Sequence, residues 1–140
     1  MKKIIVTGCN GQLGRAVNQF YAGKEDISFV NTDVSELNIS DIDAVMQLVR
    51  EVQPYAIINC AAYTAVDACE TNRDLAFKVN AIGARNLSIA AGETGAKLVH
   101  ISTDYVFDGN KKGAVSLLNW NKQRYLHLLQ YKSWSYRCLT

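Results

Sequence analysis

Three β-branched or aliphatic residues in a row, Ile4-Ile5-Val6, are followed closely by glycines at positions 8, 11 and 14. No other stretch restricts the fold of this chain as much. The apolar run has the composition of a buried parallel strand. Gln12 to Tyr21 then carries Leu13, Ala16, Val17 and Phe20 on one side at helical spacing. Strand, glycine turn and helix in that order form the context in which glycines serve a dinucleotide. Glycine accepts the turn's backbone angles and lets the main chain approach a pyrophosphate. The helix N-terminus adds N–H groups and a positive dipole end. Gly8, Gly11 and Gly14 are therefore candidate cofactor residues. Taken alone, the same spacing also suits a tight strand–helix turn that binds nothing.

The rest of the chain repeats the strand–helix alternation. Ile27 to Asn31 reads as a second strand, and Asp33 follows it, 19 positions after Gly14. That is near the offset at which an acidic residue meets the adenosine ribose in dinucleotide folds. Ser40 is expected to cap a helix, with Asp43 at the reciprocal position and Ile42, Val45, Val49 and Val52 on one face. Pro54, the single proline, ends it. Tyr55 to Cys60 is a third strand, followed by the small residues Ala61 and Ala62. Asn72 to Ala91 is a long helix with Val79, Gly83, Leu87 and Ala90 or Ala91 inward, ended by Gly92 and Gly95. Lys97 to Ser102 is a further strand, with His100 as a core or sheet-face residue rather than a base. The expected fold is α/β, a Rossmann-type parallel sheet with helices on both faces. Gly8–Gly14, Asp33, Ala61–Thr64 and Ser102–Asp108 then all lie beyond strand carboxyl ends, where ligands bind in such sheets.

Composition narrows the class. At 140 residues one domain is expected, and 49% hydrophobic with 20% charged residues is ordinary for a globular protein. No apolar run is long enough to span a bilayer and no signal-peptide pattern opens the chain. The four cysteines, Cys9, Cys60, Cys69 and Cys138, show no C-x-x-C spacing, which reads as free thiols in a cytoplasmic protein without a metal site. No nucleic-acid or membrane partner is expected, although the basic tail could also be read as an amphipathic segment for a membrane or acidic partner, and a homo-oligomer is left open. The net charge of +2 hides an asymmetry: all 13 acidic residues precede Gly109, whereas six basic residues and both tryptophans follow it.

Ser102-Thr-Asp-Tyr-Val-Phe-Asp-Gly109 leaves the last strand at the ligand edge. With Thr7-Gly-Cys-Asn-Gly-Gln-Leu-Gly14, Asn59-Cys-Ala-Ala-Tyr-Thr-Ala-Val-Asp67, and Val79-Asn80 with Gly83, it resembles the extended short-chain dehydrogenase/reductases, and within them the dTDP-4-dehydrorhamnose reductases. The resemblance runs to about Gly113. It implies that Gly8, Gly11 and Gly14, with Gln12 and Leu13 through their backbones, hold the pyrophosphate. It places Asp33 on the adenosine ribose, Asn38 and Ile39 beside the adenine, and Ala61, Ala62 and Tyr63 on the nicotinamide side. Thr103 would be the catalytic hydroxyl, and Asp104 and Tyr105 would face the sugar nucleotide. The implied reaction is NAD(P)H-dependent reduction of the 4-keto group of dTDP-4-dehydro-L-rhamnose, in dTDP-rhamnose biosynthesis. NADH is favoured over NADPH, because Asp33 repels a 2′-phosphate and Val34 stands where an arginine would neutralise one.

Two departures accompany the resemblance. The family's catalytic tyrosine and lysine stand as Y-x-x-x-K, and none of the seven tyrosines here has lysine four positions on. Residues 114–140 are rich in leucine, tryptophan and basic residues where the family has an acidic, proline-bearing loop. The expectation is an incomplete cofactor-binding domain over 1–113, followed by an atypical tail over 114–140 that is out of frame or non-native, in a chain without turnover. The rival expectation is a non-catalytic dinucleotide-binding regulatory module, as in the regulatory subunit of methionine adenosyltransferase, which resembles the same reductases.

Overall fold

The computed structural model describes residues 1–65, 68 and 71–102. Thr103, Asp104 and Tyr105, and the segment 114–140, lie outside the described residues. Four strands, β1 (Lys2–Thr7), β2 (Ile27–Thr32), β3 (Ala56–Asn59) and β4 (Lys97–His100), form one parallel sheet in the order β2-β1-β3-β4. Helix α1 (Gln12–Phe20) joins β1 to β2, and α2 (Ile42–Val52) joins β2 to β3. The connection from β3 to β4 includes α3 (Arg73–Phe77), a π-helical turn (Lys78–Gly83) and α4 (Ala84–Thr94). The chain steps one way from β1 to β2, then back across β1 to β3 and β4. Right-handed crossovers in opposite directions put α1 on one face and α2 with α4 on the other. The expected helix-covered parallel sheet is therefore the observed fold.

The core lies on the α2–α4 face. Ile5 and Ile57 from the two central strands pack with Val45, Met46 and Val49 of α2 and Leu87, Ala90 and Ala91 of α4. Leu37 and Ile39 close it from the β2–α2 turn. On the α1 face, Val99 and Ile101 are exposed, so among the described residues the β4 side of that face is open.

Three local expectations are corrected. The cap of α2 is Asp41, whose carboxylate accepts the Asp43 and Ala44 N–H groups at 3.0 and 3.1 Å. Ser40 is not the cap because its hydroxyl and amide are both taken by Asn38 Oδ1. Gly92 lies inside α4, and only Gly95, with φ of 71°, ends it. The apolar side of α1 is split: Gly14 is buried and Val17 half-buried, while Leu13 and Phe20 are exposed. The close fit of Gly14 on the preceding turn sets the helix rotation, and Asn18 and Asn31 then join helix to β2 by reciprocal amide bonds of 3.0 and 2.8 Å.

The π-helical turn brings Gly83 against Ile39, where a Cβ would lie 2.6 Å from Ile39 Cγ1 and Cδ1. Gly83→Ala is expected to cost about 1–3 kcal/mol by overpacking. Adding Ile39→Val should recover part of that loss, as read by urea denaturation midpoints. An unchanged midpoint in Gly83→Ala would contradict this packing.

Candidate functional site

Each strand ends on a polar residue, and the four ends stand side by side. Thr32 pairs in register with Thr7, Thr7 with Asn59, and Asn59 with His100. Thr7, Thr32 and Asn59 are buried, so their polar groups need partners. Thr7 Oγ1 donates to Asn59 Oδ1 at 2.7 Å, and the Ala61 N–H donates to the same oxygen at 3.1 Å. Two donors on Oδ1 orient the amide, so Nδ2 donates to His100 Nδ1 at 2.9 Å. Thr32 Oγ1 reaches the Val6 carbonyl at 3.4 Å. His100 is thus a sheet-face residue of this rung, as expected from its place in the strand.

The glycine turn lies on this rung. Gly8 has φ of 64°, and a Cβ there would fall 2.7 Å from both N and Cα of Ala61. The loops after β1 and β3 therefore touch backbone to backbone, which any side chain at position 8 would prevent. A Cβ on Gly14 would run into the Gly8 carbonyl oxygen and lie 2.6 Å from Cys9 Cα. Gly11 differs: a Cβ there meets only the Gly8 carbonyl oxygen, at 3.2 Å, and the residue is exposed. Folding requires the first and third glycines much more than the second. Gly11 is also the N-cap of α1, with no side-chain cap bond and no acidic residue in the first turn. The positive end of the helix is therefore not neutralised by a carboxylate of its own first turn, and Gln12 and Leu13 at its start are exposed.

Asp33 closes the other side of the turn. Its Oδ2 accepts the Asn10 N–H at 2.9 Å and its Oδ1 accepts the Val34 N–H at 2.8 Å. Each oxygen keeps a further lone pair for a hydroxyl donor. Glu36 accepts the Ser35 hydroxyl and the Asp33 N–H, and these bonds hold its carboxyl below the usual range, so it is ionised at neutral pH. Partial burial, with the negative charges of Asp33 and Glu36, raises the Cys9 thiol, and burial raises Cys60. Both stay protonated at neutral pH and are poor nucleophiles there.

The remaining candidates divide by exposure. Asn38 is exposed, with Oδ1 bonded to Ser40. Ile39 is a core residue by its side chain, and its carbonyl accepts Asn86 Nδ2 at 3.1 Å. Ala61 and Tyr63 are half-buried and Ala62 is exposed, all beyond β3. Asn80 fixes this segment: its Oδ1 accepts the Tyr63 N–H at 2.8 Å and its Nδ2 donates to the Tyr63 carbonyl at 3.0 Å.

Sequence reasoning assigned no role to Thr7, Asn59, Asn80 or Asn86. A signal was present for the asparagines at 80 and 86. Asparagine is a poor helix interior residue, and each stands among apolar neighbours on an inward face, where it must find a specific partner. Among the described residues no group of three or more His, Cys, Asp and Glu side chains is placed to hold a metal ion. No described helix is long and apolar enough to cross a membrane.

A parallel sheet whose strand order reverses beside β1, with a glycine turn, a helix start without a side-chain cap and an acidic residue at that reversal, belongs to the Rossmann class of fold, in which ligands bind at such a reversal. Within that class, the chain belongs to the family described as the RmlD substrate binding domain, whose model matches residues 1–119. It is 39% identical over 113 residues to a dTDP-4-dehydrorhamnose reductase of Aggregatibacter actinomycetemcomitans, covering 81% of this chain and 38% of that one. It is 35% identical over 114 residues to methionine adenosyltransferase 2 subunit beta of Pongo abelii, covering 77% and 34%. Among solved structures, the Clostridium acetobutylicum dTDP-4-dehydrorhamnose reductase superposes with a TM-score of 0.78 at 44% identity, over 99% of this chain and 50% of that one. The Bacillus anthracis reductase, solved in complex with NADP, gives 0.73 at 48% identity, over 79% and 39%. The chain thus spans little more than a third of the length of these curated relatives.

Asn80→Ala would leave the Tyr63 N–H and carbonyl without their side-chain partner. The expected cost is about 1–3 kcal/mol, with faster hydrogen exchange at the Tyr63 amide than at β3 amides. Unchanged exchange at Tyr63 would show that the clamp does not hold that segment.

Proposed function

We propose that this chain is the cofactor-binding part of an NAD(P)H-dependent reductase that acts on the 4-keto group of dTDP-4-dehydro-L-rhamnose. The observation that carries the reading is Gly11. The residue is glycine although a Cβ there would meet only the Gly8 carbonyl oxygen, tightly at 3.2 Å but without the backbone clashes found at Gly8 and Gly14, and it stands at the start of α1 with no side-chain cap. A pyrophosphate approaching that helix end accounts for both facts. The bound cofactor would supply the hydride. Gly8, Gly11 and Gly14 would admit the phosphates, and the backbone of Gln12 and Leu13 would face them. Asp33, already anchored by two N–H groups, would take the ribose hydroxyls. Asn38 and Ile39 would border the adenine. Ala61, Ala62 and Tyr63, held by Asn59 and Asn80, would form the wall on the nicotinamide side.

From the family resemblance, Thr103 would hydrogen-bond the substrate carbonyl, and Asp104 and Tyr105 would contact the sugar nucleotide. Protonation of the product oxygen needs an acid, and threonine is far too weak for that near neutral pH. No tyrosine of this sequence carries the lysine at the fourth following position that would tune it. That absence, with the relationship to methionine adenosyltransferase 2 subunit beta, favours a second reading: a dinucleotide-binding module without turnover. The 1–113 cofactor domain, the atypical character of 114–140 and a cytoplasmic location belong to the same proposal.

Calorimetric titration tests the shared part. NADH should bind the folded chain, and Gly11→Val should weaken binding severalfold while leaving the circular dichroism spectrum intact. No binding by a folded sample would overturn the proposal. NADH should bind about fivefold more tightly than NADPH, because the carboxylates of Asp33 and Glu36 both disfavour a 2′-phosphate. Equal or reversed affinities would instead assign a phosphate contact to a basic residue such as Arg15.

A turnover assay tests the lack of catalysis that both readings expect of this chain. The purified 140-residue chain is expected to bind NADH without oxidising it in the presence of the 4-keto sugar nucleotide. Loss of a positioned general acid costs about 10²–10⁴ in rate. Measurable turnover, lost in Thr103→Val, would overturn this expectation and show that another acid serves.

A further inference from the structure

At the opposite edge of the sheet, where the strands begin, three strands meet at one phenol. Tyr55 directly precedes β3. Its amide donates to the Lys3 carbonyl at 2.8 Å and its carbonyl accepts the Lys97 amide at 3.1 Å, so its backbone is held between β1 and β4. Lys97 Nζ donates to Tyr55 Oη at 2.9 Å. The two ammonium groups of Lys97 and Lys2 stand 4.9 and 4.8 Å from the ring centroid. Tyr55 is 43% exposed, so a small reagent can reach it. Among the described residues the one ion pair is Arg50–Glu93, and neither Lys2 nor Lys97 is neutralised by a carboxylate there.

A cationic donor on a phenol oxygen favours the ionised form, and a second ammonium nearby adds to the effect. The Lys97 hydrogen bond, then the charges of Lys97 and Lys2, hold the Tyr55 hydroxyl below the usual phenol range. We propose that Lys97 and Lys2 make Tyr55 a nucleophilic tyrosine, a modification site for sulfur(VI) electrophiles of the sulfonyl fluoride class. In the step, the phenol proton passes to solvent and the phenolate oxygen attacks sulfur. An O–S bond forms, the S–F bond breaks and fluoride leaves, with no change in oxidation state. The site stands at the far end of the strands from Gly8 and Asp33, so it is independent of dinucleotide binding.

The experiment is labelling of the full chain with an aryl sulfonyl fluoride at mildly alkaline pH, followed by peptide mapping. Tyr55 should be labelled ahead of the other six tyrosines and of Lys2 and Lys97. Lys97→Met should slow labelling at Tyr55 by about threefold or more, with an unchanged circular dichroism spectrum. Lys97→Arg, which keeps a cationic donor, should retain most of the rate. Phenolate absorbance followed against pH should show one tyrosine ionising ahead of the rest, a phase missing in Tyr55→Phe. Even labelling across the tyrosines, preferential labelling of a lysine, or a wild-type rate at Tyr55 in folded Lys97→Met would overturn the proposal.

Discussion

The Asn59 amide accepts the Thr7 hydroxyl at 2.7 Å and the Ala61 N–H at 3.1 Å, and donates to His100 at 2.9 Å. With these three bonds one buried side chain sets the ends of β1, β3 and β4 relative to each other. An unpaired amide there would cost on the order of 1–3 kcal/mol for each lost partner. The bonds are also directional, which apolar packing is not. They fix where the chain leaves β3, and so where Ala61 meets Gly8. The glycine turn inherits its position from that contact.

The electrostatics follow from the same edge. The start of α1 carries no carboxylate in its first turn, whereas the turn after β2 concentrates Asp33 and Glu36. A positive helix end thus stands close to a negative turn. An extended ligand with a central pyrophosphate and an outlying ribose diol matches that polarity. Burial, with the same carboxylates, keeps the Cys9 thiol protonated, so the cysteine inside the glycine turn adds no reactive group to the site. The amino edge has the reverse character, with Lys2, Lys97 and the phenol of Tyr55 gathered in solvent.

Conformational rigidity is unevenly placed. Gly83 packed against Ile39 and Asn86 bonded to the Ile39 carbonyl tie the π-helical turn and α4 to the β2–α2 turn. Asn80 then ties that turn to Tyr63. A π-helical turn widens the helix and is common at functional sites. Here it lets Asn80 and Gly83, three positions apart, serve two different neighbours. On the β4 side of the α1 face, Val99 and Ile101 are exposed.

Local composition and period by themselves determined the strand–helix alternation, the parallel sheet and the helix-covered architecture. The reason is that β-branched runs, helical spacing and glycine or proline boundaries are properties of neighbouring residues. The same information located Gly8, Gly14 and Asp33 at strand ends. Only the tertiary structure decided the rest. Which residue caps α2 depended on the Asn38 turn, since Asp41 and Ser40 are equally good caps in isolation. Which side of α1 is buried depended on the fit of Gly14 against the Gly8 carbonyl and not on where its apolar residues fall. The separate demands on the three glycines became visible only where a missing Cβ could be tested against its surroundings. The polar rung of Thr32, Thr7, Asn59 and His100 joins residues as far apart as 7 and 100, because strand register is set by distant pairings.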